Sequence, residues 1–191
     1  MKKFKKDFKR ITSKEWSFFY GLLRLMLSPH IRYLFYCRLS ETSFLPYFLP
    51  SFLPSFLPSF LPSFLRSYKR FLGQKYGLEF DTDRIGEGLY IGHPFNITIN
   101  REATLGENCN IHKGVTIGSE ARGSRKGVPT IGSKVWIGAN ATVVGNINIG
   151  SNVLIAPNSF VNCDVPDNSI VIGNPCRIIH NPEATKNYII L

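Results

Sequence analysis

From Ile85 to Val161 an aliphatic residue returns every six positions: Ile85, Ile91, Ile97, Leu105, Ile111, Ile117, Ile131, Ile137, Val143, Ile149, Ile155 and Val161. The rhythm slips twice, by two residues around "NREA" and by eight across "SEARGSRKGVPT". Glycine often follows the aliphatic, and four residues after it sits another small or apolar side chain, such as Leu89, Phe95, Cys109, Val115, Val135, Ala141, Ile147, Val153 or Val165. Neither the 3.6-residue period of a helix nor the two-residue alternation of a strand fits. A six-residue repeat is the signature of a parallel β-helix, in which each hexad supplies one short strand and one turn. Three hexads close a triangular coil, so the repeat predicts a mainly β domain over residues 78–180, with about four coils. Coils spaced roughly 4.8 Å apart make a prism about 20 Å tall, short enough to need partners on its exposed faces.

The N-terminal part has a different texture. Residues 1–77 hold fourteen Lys and Arg against three acids, a net of +11, whereas residues 78–191 hold nine against ten. The basic excess of one end points to an anionic surface touched by that end; a solvated helical face accounts for it equally. Residues 1–41 read as a basic helical leader, with helices at roughly 14–27 and 30–40 separated near Pro29. Residues 42–67 repeat Phe-Leu-Pro-Ser almost unchanged. Proline at every fourth position removes a backbone N–H per turn, so a regular membrane-spanning helix is excluded there, and an extended or kinked linker is expected. A basic aromatic connector (68–77) and a C-terminal tail (181–191) flank the β domain. The four cysteines, Cys37, Cys109, Cys163 and Cys176, lack Cys-x-x-Cys or zinc spacing, which suggests reduced thiols and a cytoplasmic location. No signal-peptide pattern fits the N-terminus.

Residues 78–180 resemble the left-handed parallel β-helix acyltransferases, specifically the serine acetyltransferase group. The matching stretches are "IGEGLYIGHPFNITIN", "IGENCNIHKGVTIG", "PTIGSKVWIGANATVVGNINIGSNVLIAPNSFV" and "DVPDNSIVIGNPCRII". The leader resembles those of family members from capsular and exopolysaccharide gene clusters. The resemblance implies a homotrimer with clefts between subunits, acetyl-CoA as donor, and no metal.

Transfer of an acetyl group to a hydroxyl needs a base for the hydroxyl proton, and imidazole titrates in the right range. His93 matches the position of the family's catalytic base. The carboxylate that would orient it is expected at Leu78, which cannot serve; Glu79, one residue later, is the first choice and Asp81 the second. His112 should stack one coil above Gly92, diagonal to His93, where it either touches the acceptor or forms a solvent-facing corner. A zinc site of the carbonic anhydrase type is rejected, because no third His has suitable spacing. In the family, the loop at the eight-residue gain covers the coenzyme, which assigns Arg122, Arg125 and Lys126 to the CoA phosphates. Arg177, in "GNPCRII", is expected near a CoA phosphate, with Ala139 and Gly145 as close-approach points for the pantetheine arm.

Two departures bear on the acceptor. The resemblance expects Asp where Gly92 stands, to hold the amino group of serine. It also expects Arg-His where Gly127 and Val128 precede Pro129, to hold the carboxylate. A zwitterion without charged partners is poorly bound in a partly dry cleft, so a sugar hydroxyl of a surface polysaccharide is the leading expectation, acetylated beside the inner membrane face. Serine acetylation is the second reading. A non-catalytic, membrane-associated β-helix scaffold is a third, from another class.

Overall fold

The computed structural model describes residues 1–40 and 57–190. Most of the Phe-Leu-Pro-Ser run lies outside the described residues. Among the described residues, four helices precede the β domain: α1 (Lys2–Thr12), α2 (Phe18–Leu27), α3 (Pro29–Ser40) and α4 (Leu57–Tyr76). The helix α1 is an addition to the sequence reading. Its Phe4, Asp7 and Phe8 are buried while its lysines stay mostly in solvent. Helix α3 begins on Pro29, a first-turn position that needs no N–H, so that proline starts a helix as well as separating two.

The linker and connector of the sequence reading merge in part into α4. Pro58 falls in its first turn, where the N–H would have no partner anyway. Pro62 forfeits one backbone bond, and the helix continues because the run "RSYKRFLGQKY" propagates it and buries Leu72. No helix among the described residues is long and apolar enough to cross a membrane.

Fourteen strands form three walls of a prism. The first wall holds β1 (Leu78–Glu79), β3 (Ile97–Ile99), β6 (Thr116–Gly118), β9 (Thr142–Val144) and β12 (Phe160–Val161), all parallel. The second holds β4 (Thr104–Leu105), β7 (Thr130–Ile131) and β10 (Asn148–Ile149), extended by bridges at Ile85 and Val165. The third holds β2 (Tyr90–Gly92), β5 (Asn110–His112), β8 (Trp136–Ile137), β11 (Val153–Ile155) and β13 (Ser169–Ile172). The antiparallel strand β14 (Arg177–His180) closes that wall. The aliphatic columns Ile91–Ile111–Ile137–Ile155–Val171 and Ile99–Ile117–Val143–Val161 are buried and fill the interior.

The first wall is five strands deep, where the hexad count predicted about four coils. The additional level comes from β1 and β13, whose Leu78 and Val171 are buried but stand off the six-residue step.

The register also moves the two-residue gain. Ile91 pairs with Ile111 and Ile99 with Ile117. The insertion therefore lies at the corner "HPFN" (93–96), not around "NREA". Ile99 takes the hexad position, Ile97 packs on Leu78 instead, and Phe95 is exposed rather than inward.

One buried ion pair ties the helices to the first coil. The Arg38 guanidinium bonds Asp7 (Nε–Oδ2 2.8 Å) and donates to the carbonyls of Thr82, Ile85 and Gly86 at 3.1, 2.8 and 2.6 Å. Asp7 Oδ1 accepts from the Leu89 N–H at 2.8 Å. At the other end of the chain, the tail lies against the third wall. Tyr188 packs edge-on to Trp136 and its carbonyl accepts from Asn110 Nδ2 at 3.1 Å, while Ile190 O accepts from Arg10. All four cysteines are free, and the fold brings Cys163 and Cys176, distant in sequence, to an Sγ–Sγ separation of 3.6 Å.

Candidate active site

The widened corner between β2 and β3 carries His93. Asn96 (φ 53°) takes the left-handed conformation that the corners stacked on it also use, at Gly114, Asn140 and Asn158, and the corner two residues longer adds a second such residue, His93 (φ 54°). The extra length projects the His93 side chain into solvent: the residue is exposed, with Phe95 N–H bonded to its carbonyl at 2.8 Å. In the same stacking column follow Lys113 and then Ala139, because Gly92 pairs with His112 and Ile111 with Ile137. Sequence reasoning passed over Lys113, although the phase of the repeat marks it: His93, Lys113 and Ala139 each stand two residues after an inward isoleucine.

His112 lies directly above Gly92, as the spacing predicted. A Cβ at position 92 would come within 2.6 Å of His112 Cε1 and Nδ1, so glycine is what lets the ring lie there. The ring rests on Trp136 (centroids 4.7 Å apart) and near Tyr90 (6.5 Å). Its Nε2 is buried without a hydrogen-bond partner. Burial and, secondarily, the positive charge that His93 can carry hold the His112 imidazole below the usual histidine range.

This makes a test of stability. A histidine with a depressed folded pKa stabilises the fold above its unfolded pKa of about 6.5, and that contribution is lost as pH falls through the folded value. Melting temperature is therefore expected to drop between pH 7.5 and pH 5, and His112→Gln should flatten the drop. An unchanged slope in the variant would show that the buried imidazole is not responsible.

The carboxylate choices fare differently. Among the described residues no hydrogen bond or ion pair joins Glu79 or Asp81 to His93. Glu79 sits on β1 in register with Thr98, and it opens into a cavity of about 910 Å³ roofed by Arg66, Lys69 and Arg70 of α4. Asp81 is held by Lys69. The expected deletion in the turn does not restore register, because β1 runs along the first wall whereas His93 stands at the corner before it.

The eight-residue gain is a loop pinched at its neck by reciprocal bonds between Glu120 and Gly127 (2.9 and 3.0 Å). Arg122 and Lys126 are exposed on it, while Arg125 is pinned to the prism, its guanidinium donating to Asn162 O. Gly145 is buried beneath this loop, with the Arg125 carbonyl 3.1 Å from where its Cβ would be. The close approach seen at Gly145 is that of the chain's own loop. The loop and Gly145 occupy the corner after the first wall, and His93 and Ala139 the corner before it. Arg177 is exposed on β14 at the far end of the third wall. A single chain therefore brings His93, His112, Gly92 and Ala139 together, and leaves Arg122, Arg125, Lys126 and Arg177 apart from them. The exposed cations and the open loop around Gly123 suit a phosphate-bearing ligand such as CoA. Among the described residues no group of three or more metal-ligating side chains is assembled.

Residues 129–163 match the family model of the bacterial transferase hexapeptide, six repeats. The serine acetyltransferase of Synechococcus elongatus is 42% identical over 97 residues, which span 51% of this chain and 40% of that protein. That of Staphylococcus aureus is 43% identical over 96 residues, 50% of this chain and 45% of the relative. The chain thus spans less than half the length of the curated relatives it matches. Among solved structures, Neisseria gonorrhoeae serine acetyltransferase in complex with serine superposes with a TM-score of 0.68 at 30% identity, covering 93% of this chain and 68% of that one. That likeness, with the hexad-built parallel walls, fits a left-handed β-helix preceded by short helices. The chain belongs to the serine acetyltransferase-like hexapeptide-repeat acyltransferases.

Proposed function

We propose that this chain transfers an acetyl group from acetyl-CoA to a hydroxyl, with His93 as general base. The observation that carries the reading is an exposed imidazole, presented by a corner widened by two residues, on the scaffold of an acyltransferase family. His93 takes the acceptor's proton as its oxygen attacks the thioester carbonyl. The C–O bond forms, the C–S bond breaks, and the imidazolium returns the proton to the CoA thiolate. His112, whose imidazole burial holds below the usual histidine range, stands beside this corner above Gly92 and lines the acceptor side of the site. The cations of the 119–128 loop and Arg177 hold CoA phosphates. Since the loop stands at another corner from His93, a complete site requires the loop of an adjacent copy, which supports the homotrimer that the family resemblance implies. In this reading neither Glu79 nor Asp81 orients His93.

The relatives' names support L-serine as acceptor better than a sugar hydroxyl, so the reading that stood second in the sequence moves ahead. One observation favours the sugar. A carboxylate at position 92 would collide with the His112 ring, and Gly127 and Val128 offer no cation for an acceptor carboxylate. The basic N-terminal third fits peripheral contact with an anionic membrane from the cytoplasmic side.

Release of the CoA thiol by the purified full chain, with L-serine or with an acetylatable glycan, separates these readings. Turnover with serine assigns that acceptor, and turnover with glycan alone assigns the sugar. CoA binding without release to either would overturn acetyl transfer and leave a scaffold.

A further inference from the structure

The last coil of the prism is closed by a turn, residues 173–176, that joins β13 to the antiparallel strand β14. Two bonds hold the start of this turn against the end of the first wall. The Gly173 N–H donates to Oγ of the buried Ser159 at 3.0 Å, and the Phe160 N–H donates to the Gly173 carbonyl at 3.1 Å. From that anchor the turn brings Cys176 to Cys163, which stands two residues past β12. Their Sγ atoms are 3.6 Å apart, and both residues are half-buried. The other two thiols differ. Cys37 and Cys109 are buried, and burial pushes them up to about 12 and about 11, so neither supplies the thiolate that exchange chemistry needs. Burial and the bond with Cys176 also raise the Cys163 thiol, with Arg125 acting against them, but Cys163 is within reach of solvent. The neighbour of Cys163, Asn162, accepts from the Arg125 guanidinium, and Arg177 follows Cys176. The pair thus sits at the corner after the first wall, where loop and closing strand both attach, and away from His93.

We propose that Cys163 and Cys176 form a redox site: a disulfide closes between them by exchange with a low-molecular-weight disulfide such as oxidised glutathione, and latches the closing turn to this corner. The inference stands apart from acetyl transfer. Bonded sulfurs lie about 2.05 Å apart, so the separation must close by about 1.5 Å. Asn174 and Pro175 are exposed, so the turn can give by that much without opening the core. The thiolate of one cysteine attacks a sulfur of the reagent, whose S–S bond breaks and releases one glutathione thiolate. The second cysteine thiolate then attacks the mixed disulfide, the protein S–S bond forms, and the second glutathione leaves. The cysteines lose two electrons and two protons, which end on the two glutathione thiols. Because the partner sulfur is already beside it, the second step is intramolecular, and the closed bond wins over a lasting mixed disulfide. The bond encloses β13 and stabilises the fold by restricting the unfolded chain.

The reduced full chain is incubated with oxidised glutathione at pH 8.5, quenched with acid and denatured, and its free thiols and intact mass are measured. Thiols should fall from four to two, the mass should drop by the two hydrogens lost with no glutathione retained, and dithiothreitol should restore both. The oxidised chain should melt about 5 °C or more above the reduced one. Cys176→Ser should stop at the mixed disulfide and keep one glutathione. Cys163→Ser combined with Cys176→Ser should retain both remaining thiols and show no shift in melting temperature, with circular dichroism as the check on its fold. The wild-type mass decides the matter without any variant. Four surviving thiols, a stable glutathione adduct on wild type, a disulfide-linked dimer on a non-reducing gel, or equal thiol loss in the double variant overturns the proposal. So does an oxidised chain that melts no higher than the reduced one.

Discussion

Replacing His93 should lower the rate of acceptor-dependent CoA release by about 10²- to 10⁴-fold, the usual worth of a positioned general base. The choice of variant matters, because the backbone at this position has φ 54°. Alanine is strained in that conformation, whereas asparagine tolerates it. The chain places asparagine in this left-handed region elsewhere along the same edge of the prism, at Asn96, Asn140 and Asn158. His93→Asn therefore removes the imidazole with little disturbance of the corner. Its melting temperature should match wild type, and its thiol release should fall to near background at every pH. A rate within a few-fold of wild type would show that another group takes the proton. Rescue by added imidazole would point to loss of the base rather than of the fold.

Removing the Asp7 carboxylate should destabilise the fold by about 3–5 kcal/mol, the cost of breaking a buried ion pair by removing one member. Asp7 and Arg38 are almost wholly inaccessible to water, with side chains 0% and 1% exposed. In Asp7→Ala the guanidinium loses the Asp7 carboxylate, and the Leu89 N–H loses its acceptor. Against a total stability of about 5–15 kcal/mol for an ordinary domain, that loss is a large share. Urea denaturation followed by circular dichroism measures it. Lys9, which pairs with Glu15 on the surface, supplies the control: Lys9→Ala should move the midpoint little. A small effect of Asp7→Ala would mean that water reaches the pair. The pair also couples the halves of the molecule, because α1, α3 and the first coil meet on it, so fraying of the helices should expose the corner that precedes Leu89.

The site was legible in unequal parts. The stacking of His112 on Gly92 could be read from the chain, since it depends on counting along a strict repeat, whereas the role of His93 as base is what the family resemblance implies. The partner carboxylate could not be read. Its expected place was a count from a family pattern, and one residue of slippage along β1 turns a side chain from the inward to the outward face of the same wall. The position of the two-residue insertion was misread for a related reason. Ile97 and Ile99 are both buried aliphatic residues two apart, so the composition alone fits the extra residues on either side of them. Only the pairing of Thr98 with Thr116 places the gain at the corner that carries His93.

The Phe-Leu-Pro-Ser units show the converse. Their prolines argued against helix throughout, yet α4 starts within them at Leu57, because a helix tolerates proline in its first turn and can forgo a single bond when the rest of it is packed. Periodicity determined the β-helix and its walls. A hexad must bury its aliphatic residue and can do so only by stacking on the next. Which side chains converge was decided by tertiary structure alone: the Arg38–Asp7 tie, the Gly145 cover, the separation of Glu79 from His93, and the approach of Cys176 to Cys163. Each of these depends on distances between segments that lie far apart in the chain, and no local pattern of residue types encodes them.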